Sequence, residues 1–340
     1  MIRYTKIAIV VFSLSLSYGQ ITGSVSNVAT TAASFLDIGI GARSLSMGGA
    51  FVAIADDPTA LYWNPAGIVS IERPMAHFYH SPWIADVQFN HSAVVVPLDR
   101  SSSFGFFITS VTMDEMQVRT VKSPQGTGEY FSVSNVALAG SYARRLTDRF
   151  SFGVNMKFIQ EKIWHMNAGG LAVDLGSLFV TKNSGLRIGM SVSNFGGKIS
   201  MDGYDTEVDY DVDETMYGNN DKIDASLNSM DWPLPLVFRA GVSKDVVQSD
   251  IHKLTLAADA IHPNNNVEYI NLGFEYILRN MISIRGGQAF YGMDKSKQGL
   301  TFGVGLNYQI PRGPIINFDY VYRDIGVFDN IPGYSLNIIF

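Results

Sequence analysis

The chain has 340 residues, of which 46% are hydrophobic, 12% aromatic and only 16% charged, with 32 glycines and no cysteine. A formal charge of −6, with no run of Lys or Arg, argues against a nucleic-acid partner. The lack of cysteine excludes disulfides, thiolate metal sites and lipidation of an N-terminal cysteine.

Residues 1–19 have the layout of a signal peptide. Arg3 and Lys6 precede an apolar core over 7–16, and Ser17, Tyr18 and Gly19 form a small-residue cleavage region, with the cut expected near Gly19 and Gln20. No later stretch approaches the roughly 18 apolar residues of a spanning helix. The chain is therefore expected to be exported without being a helical membrane protein.

Residues 41–68 are rich in small side chains and almost uncharged. Asp57 before Pro58 reads as a helix N-cap with proline in the first turn. That turn can run only to Asn64, because a residue preceding proline (Pro65) is pushed out of the helical region. Gly41, Gly48, Gly49 and Gly67 permit sharp bends or close backbone approach. The segment is too short to own a core, so its Leu61, Tyr62 and Trp63 must be buried by the rest of the chain.

From Met75 onward the pattern is alternation with period two, the signature of strands with two unlike faces. Phe150, Phe152, Val154, Met156 and Phe158 alternate with Ser151, Gly153, Asn155 and Lys157, and Leu300 to Tyr308 behave likewise. Fourteen such segments are expected at 75–84, 87–98, 103–118, 130–145, 149–165, 169–181, 186–199, 233–247, 252–262, 267–279, 281–291, 298–310, 314–324 and 332–340. Links after even-numbered segments are short and turn-like. Those after odd-numbered segments are often longer and more polar, namely 114–128, 201–231, 291–298 and 323–330. Outer-membrane barrels sort their connections in this way, with short periplasmic turns and longer external loops. The final strand carries Tyr334, Leu336, Ile338 and Phe340 in alternation, and this resembles the terminal-strand assembly signal of such barrels.

The stretch Gly41-Ala-Arg-Ser-Leu-Ser-Met-Gly-Gly-Ala50, with Trp63, Asn64, Pro65, Ala66 and Gly67 at its other end, resembles the N-terminal signature of the PorV/PorQ family. That family lies within the group resembling the FadL long-chain fatty-acid channel. The resemblance implies an all-β fold: a transmembrane, antiparallel, up-and-down barrel of about fourteen strands, with a hatch inside the lumen. The domains expected are a signal peptide (1–19), the hatch (20–72) and the barrel (73–340). Two roles are implied. One is protein export or surface delivery of the type IX kind, with secreted cargo or secretion-machinery proteins as partners. The other is passive passage of a fatty-acid-like ligand, gated by the hatch. Neither requires a cofactor, and outer-membrane lipid surrounds the barrel in both.

Register places eight charges on the inward face: Lys157, Asp174, Arg187, Arg239, Asp259, Glu275, Arg285 and Asp319. A Lys or Arg facing the bilayer midplane would cost about 2–4 kcal/mol, so the lumen is their only sensible location. They form either a network that meets the hatch through Arg43, Asp56 and Asp57, or a permanently paired lattice that stiffens the barrel. The external 201–231 loop holds ten acidic residues against Lys222. Its Asp209, Asp211, Asp213 and Glu214 lack the spacing of a calcium loop, so a solvated, mobile acidic loop is the reading and no metal is assigned. Six scattered histidines form no metal set, since His77 and His80 fall on opposite faces. No nucleophile elbow, Walker loop or paired-histidine zinc helix is present, so no enzyme is expected. Tyr79, Trp83, Trp164, Trp232, Tyr291 and Tyr322, near segment ends, suit either an interfacial aromatic girdle or ordinary packing.

Overall fold

The computed structural model describes residues 27–213, 215, 222–291, 299–326 and 328–340. The signal peptide and Glu214 lie outside them. Fourteen strands carry the wall: β1 Met75–Pro82, β2 Gln88–Pro97, β3 Ser102–Thr112, β4 Val133–Thr147, β5 Phe150–Ile163, β6 Met166–Val180 and β7 Arg187–Gly196, followed by β8 Val237–Gln248, β9 His252–Pro263, β10 Tyr269–Leu278, β11 Ile282–Tyr291, β12 Leu300–Gln309, β13 Ile315–Ile325 and β14 Phe328–Ile339. Each pairs antiparallel with the next, and β14 returns to pair with β1 through Met75↔Ile339 to His80↔Tyr334. Closure leaves no free strand edge, so the ladder of backbone hydrogen bonds runs around the whole wall, interrupted only by local register slips.

The alternation resolves into two environments. On β12, Phe302, Val304 and Leu306 are each more than half exposed, whereas Thr301 is 5% exposed and faces inward. An apolar belt of this extent suits acyl chains, not water. Tyr334, Leu336 and Phe340 stand on the outer face of the last strand.

All fourteen segments are found, with four informative departures. The third strand stops at Thr112, because Met116–Gln117 turns away to pair with Tyr130–Phe131. The last strand begins at Phe328, and β13 and β14 stay paired up to Ile325↔Phe328, so most of the long loop expected over 323–330 is strand. The 201–231 loop is not a plain coil. Within it Glu207–Tyr210 pairs with Ile223–Ser226, Asp202–Gly203 pairs with the start of β6, and Ile199 bridges to Trp232. Finally, Tyr79 and Trp83 are not girdle residues. Tyr79 shares the inward register of His77 and Ser81 and is 2% exposed, while Trp83 packs on Phe89 and beneath the Arg323 guanidinium. Trp232 and Tyr322 are exposed, Trp164 stacks on His165 at a hairpin tip, and the Tyr291 side chain lies outside the described residues.

The long connections 113–132 and 197–236 share one end of the barrel, and the short turns 98–101, 148–149, 181–186, 249–251, 279–281 and 310–314 share the other. These are the outer and inner (periplasmic) ends respectively.

Candidate functional site

The lumen is occupied by the chain's own N-terminal segment, which crosses it from outer to inner rim. At the outer rim the Ala32 amide donates to Pro233 O (3.0 Å), Ala33 N donates to Glu161 Oε2 (3.0 Å), and Asn265 Nδ2 donates to Asp37 Oδ2 (2.8 Å). At the inner rim Phe340 N donates to Pro74 O (3.0 Å). Between these ends lie α1 (Ala42–Ser46), α2 (Ala60–Trp63) and a 3-10 stretch over Pro65–Ser70.

The local turns follow from the sequence. Asp57 Oδ1 accepts from the Thr59 amide (2.9 Å), but α2 starts later than expected: it begins at Ala60 with Thr59 as its N-cap and no side-chain cap bond, so Asp57 braces the turn before the helix instead of capping it, and the helix ends at an extended Asn64. Gly48 and Gly49 have φ of 68° and 77°, left-handed values that favour glycine. Gly67 is needed for space instead: a methyl group there would collide with the Ala55 carbonyl. Asn64 is fully buried and acts as a two-sided clasp. Its Nδ2 donates to Val52 O and to Ser177 O on β6, both at 2.9 Å, and its Oδ1 accepts from Ala66 N at 3.2 Å. Trp63 Nε1 closes the fold-back by donating to Ile40 O (3.0 Å).

The wall is shaped to this segment. A methyl group at Gly153 would strike the backbone of Pro65 and Ala66, one at Gly189 that of Val52 and Ala53, and one at Gly273 or Gly287 that of Met47. Glycine at these inward positions lets the two backbones touch. Polar wall groups then meet the amides that secondary structure leaves over. Ser335 Oγ accepts from Ala42 N (2.8 Å), Thr301 Oγ1 from Gly48 N (3.0 Å), and Asp259 Oδ2 from both Phe51 N (2.8 Å) and Val52 N (2.9 Å).

The eight predicted inward charges all lie inside, but in separate groups. Glu275 grips Arg43 in a bidentate pair, both bonds 2.8 Å, and also takes Arg285 Nε at 2.7 Å; Arg285 Nη1 reaches Asp319 Oδ1 at 2.6 Å. Arg43 further binds Asp56 and Asp57, so these six residues form one cluster between segment and wall. Burial works against the Arg43 charge, but Asp56, Glu275 and Asp57 outweigh it and hold its pKa above the ordinary arginine range. Lys157 and Asp174 pair at 3.0 Å in a second cluster with Asn155 and Asn194, where β6 and β7 slip register. Arg187 sits apart at the inner rim with Asp245 (2.9 Å). Arg239 has no acidic partner among the described residues; it bonds Ser193 Oγ and lies over the rings of Tyr62 and Trp63 at 5.3 and 5.6 Å. Such face contacts suit a guanidinium in a dry setting.

Sequence reasoning missed Glu161, Asp245, Lys253, Asn155, Asn194 and Arg323 as lumenal groups. Parity held the signal for most of them. Asn155 and Glu161 share the phase of Lys157, Asp245 that of Arg239, Lys253 that of Asp259, and Arg323 that of Asp319.

A comparison with curated protein sequences gives no match. Among solved structures the chain is similar to the toluene transporter TbuX of Ralstonia pickettii, with 14% identity, a TM-score of 0.54 and coverage of 88% of this chain and 97% of that one. It is similar to the toluene transporter TodX of Pseudomonas putida, with 12% identity, a TM-score of 0.55 and coverage of 88% and 96%. A FadL homologue of Pseudomonas aeruginosa gives 13%, 0.52, and coverage of 88% and 97%. At these identities the likeness establishes a shared barrel fold. The family model described as Type IX secretion system protein PorV matches residues 22–231, which take in the lumenal segment, β1 to β7 and the acidic outer loop, and the chain belongs to that family of outer-membrane barrels.

Proposed function

We propose that this barrel acts in protein export across the outer membrane, presenting its outer loops to exported proteins or to other secretion components. The observation that carries this reading is the family match, which runs through the lumenal segment and ends at the close of the acidic outer loop. Two features support it. The outer loop is shaped by the hairpin Glu207–Tyr210 with Ile223–Ser226, and its excess of carboxylates offers a surface complementary to a basic partner. The lumenal segment is bonded to the wall at many points, which suits a scaffold better than an open pore. Deleting 201–231 from the chromosomal copy should abolish surface delivery of exported proteins while the barrel still assembles. Undiminished delivery by an assembled deletion variant would refute the reading.

A second reading is a passive channel for hydrophobic molecules with the N-terminal segment as its hatch. It is favoured by the fold shared with two toluene transporters, and by that segment lying where a permeant would pass. Uptake of radiolabelled toluene and oleate by cells with and without the gene separates the two. Uptake that depends on the gene, with export intact in its absence, would favour the channel.

A further inference from the structure

The inner rim is basic in a chain that is acidic overall. The sequence carries −6, and the long outer connections 113–132 and 197–236 hold thirteen acidic residues against four basic ones. At the other end of the barrel the sign reverses. Five of the six inner turns present an exposed cation, namely Arg100, Arg149, Lys182, Arg279 and Arg312. Arg73, Arg144, Arg145 and Lys244, also exposed, add four more at the adjoining strand ends. The exposed acidic side chains at this end are four: Glu72, Asp99, Asp148 and Asp250. Among the described residues none of the nine cations forms an ion pair. Asp99, for one, accepts instead from its own neighbours Ser101 and Ser102.

Exposed apolar side chains stand between these cations. Leu98 (60% exposed) precedes Arg100, Leu146 (58%) lies between Arg145 and Arg149, and Met281 (57%) follows Arg279. Val246 and Val247 are exposed just beyond Lys244. Arg144 on β4 and Lys244 on β8 keep the phase of the exposed Tyr142 and Val242, so both leave the wall on its lipid side. A soluble acidic partner would dock on one patch, whereas this band follows the turns around the wall and runs along the edge of the apolar belt. Apolar groups that reach acyl chains, set among cations at headgroup level, are what an anionic lipid boundary selects. A zwitterionic headgroup brings an ammonium of its own, which a band with this excess of cations disfavours.

We propose that the periplasmic rim is a binding band for anionic phospholipids of the inner leaflet, with the cations of the inner turns and strand ends holding the headgroup phosphates. Seven of the nine are arginine, whose planar fork can meet a phosphate through two parallel hydrogen bonds.

The test uses the purified full-length barrel in phosphatidylcholine nanodiscs doped with spin-labelled phosphatidylglycerol or spin-labelled phosphatidylcholine. Electron paramagnetic resonance reads the fraction of each lipid that the wall immobilises. One cation beside a headgroup favours an anionic lipid about fivefold, so phosphatidylglycerol should associate about fivefold more strongly than phosphatidylcholine at low salt. The preference should collapse at about 1 M salt, where screening acts within about 3 Å. It should also fall to near unity in R100Q/R149Q/K182Q/R279Q/R312Q. Should that variant fail to reach the heat-modifiable folded form, R144Q/K244Q takes its place and should lower the preference in part. R119Q/K122Q, in an outer connection, should leave the preference unchanged. Equal association of the two lipids with the unmodified barrel would overturn the proposal and leave the band to an acidic protein. A preference that survives in the folded inner-rim variants, or is lost in the outer one, would overturn it as well.

Discussion

Replacing Asp259 by alanine gives the sharpest test of how the lumenal segment is held. Asp259 Oδ2 accepts from the amides of Phe51 and Val52, two residues with no measurable exposure, and no water can replace it there. A hydrogen bond to a charged group contributes about 1.5–3 kcal/mol, so losing both weakens the local attachment by about 3–6 kcal/mol. The equilibrium for local opening should then rise by about 10² to 10⁴. The barrel itself should stay folded, because Asp259 keeps its place in the backbone ladder between β8 and β10. Hydrogen–deuterium exchange on peptides covering 49–55 reads this directly, with a heat-modifiable gel shift reporting the wall. Asp259→Asn should retain most of the protection, since a carboxamide oxygen can accept both bonds. Exchange at 49–55 that is unchanged in Asp259→Ala would refute the reasoning, because the segment would then be held without this carboxylate.

Other perturbations separate seat from wall. Lys157→Met leaves the buried Asp174 without its cation and should destabilise the barrel by about 3–5 kcal/mol, seen as a lower temperature for loss of the folded gel band. Gly273→Val puts a side chain where the Met47 backbone lies, so the segment should unseat and trypsin should cleave after Arg43 in a barrel that is still folded. The chain has no native cysteine, so single-cysteine variants label cleanly. Val28→Cys, beside the outer rim, should react with a membrane-impermeant maleimide on intact cells, and Arg312→Cys, in an inner turn, should react only after the outer membrane is opened.

The wall was legible in the sequence because lipid and lumen demand different side chains at every second position, so alternation alone placed all fourteen strands to within a few residues at most of their ends. Where alternation misled, a local event intervened. After Thr112 the adjacent Asp114 and Glu115 break the alternation, and the apolar Met116 and Val118 beyond them belong to a small hairpin outside the wall; β13 and β14 stay paired through most of a stretch that read as a loop. Tyr79 and Trp83 looked like interface aromatics because composition near a strand end says nothing of phase, whereas the inward phase of His77 and Ser81 settles which way Tyr79 points.

The seat of the segment was much less legible, and the reason lies in how it is held. The segment has little regular structure, so its surplus amides must find acceptors on the wall, in a space with little water to substitute. A charge such as Asp259 or Glu275 announces itself in an apolar strand. Ser335 and Thr301 do not, because a hydroxyl on the inward face reads the same whether or not it accepts a bond. Glycine is quieter still: Gly153, Gly189 and Gly273 look like ordinary small inward residues, yet the missing methyl at each is where the segment's backbone touches the wall. A fit built from omitted atoms and shared hydroxyls is defined by pairs of positions far apart in the chain, from Gly153 with Pro65 to Ser335 with Ala42. The small-residue stretch at 41–68 and the wall glycines are therefore two halves of one feature, and either half read alone looks like flexibility.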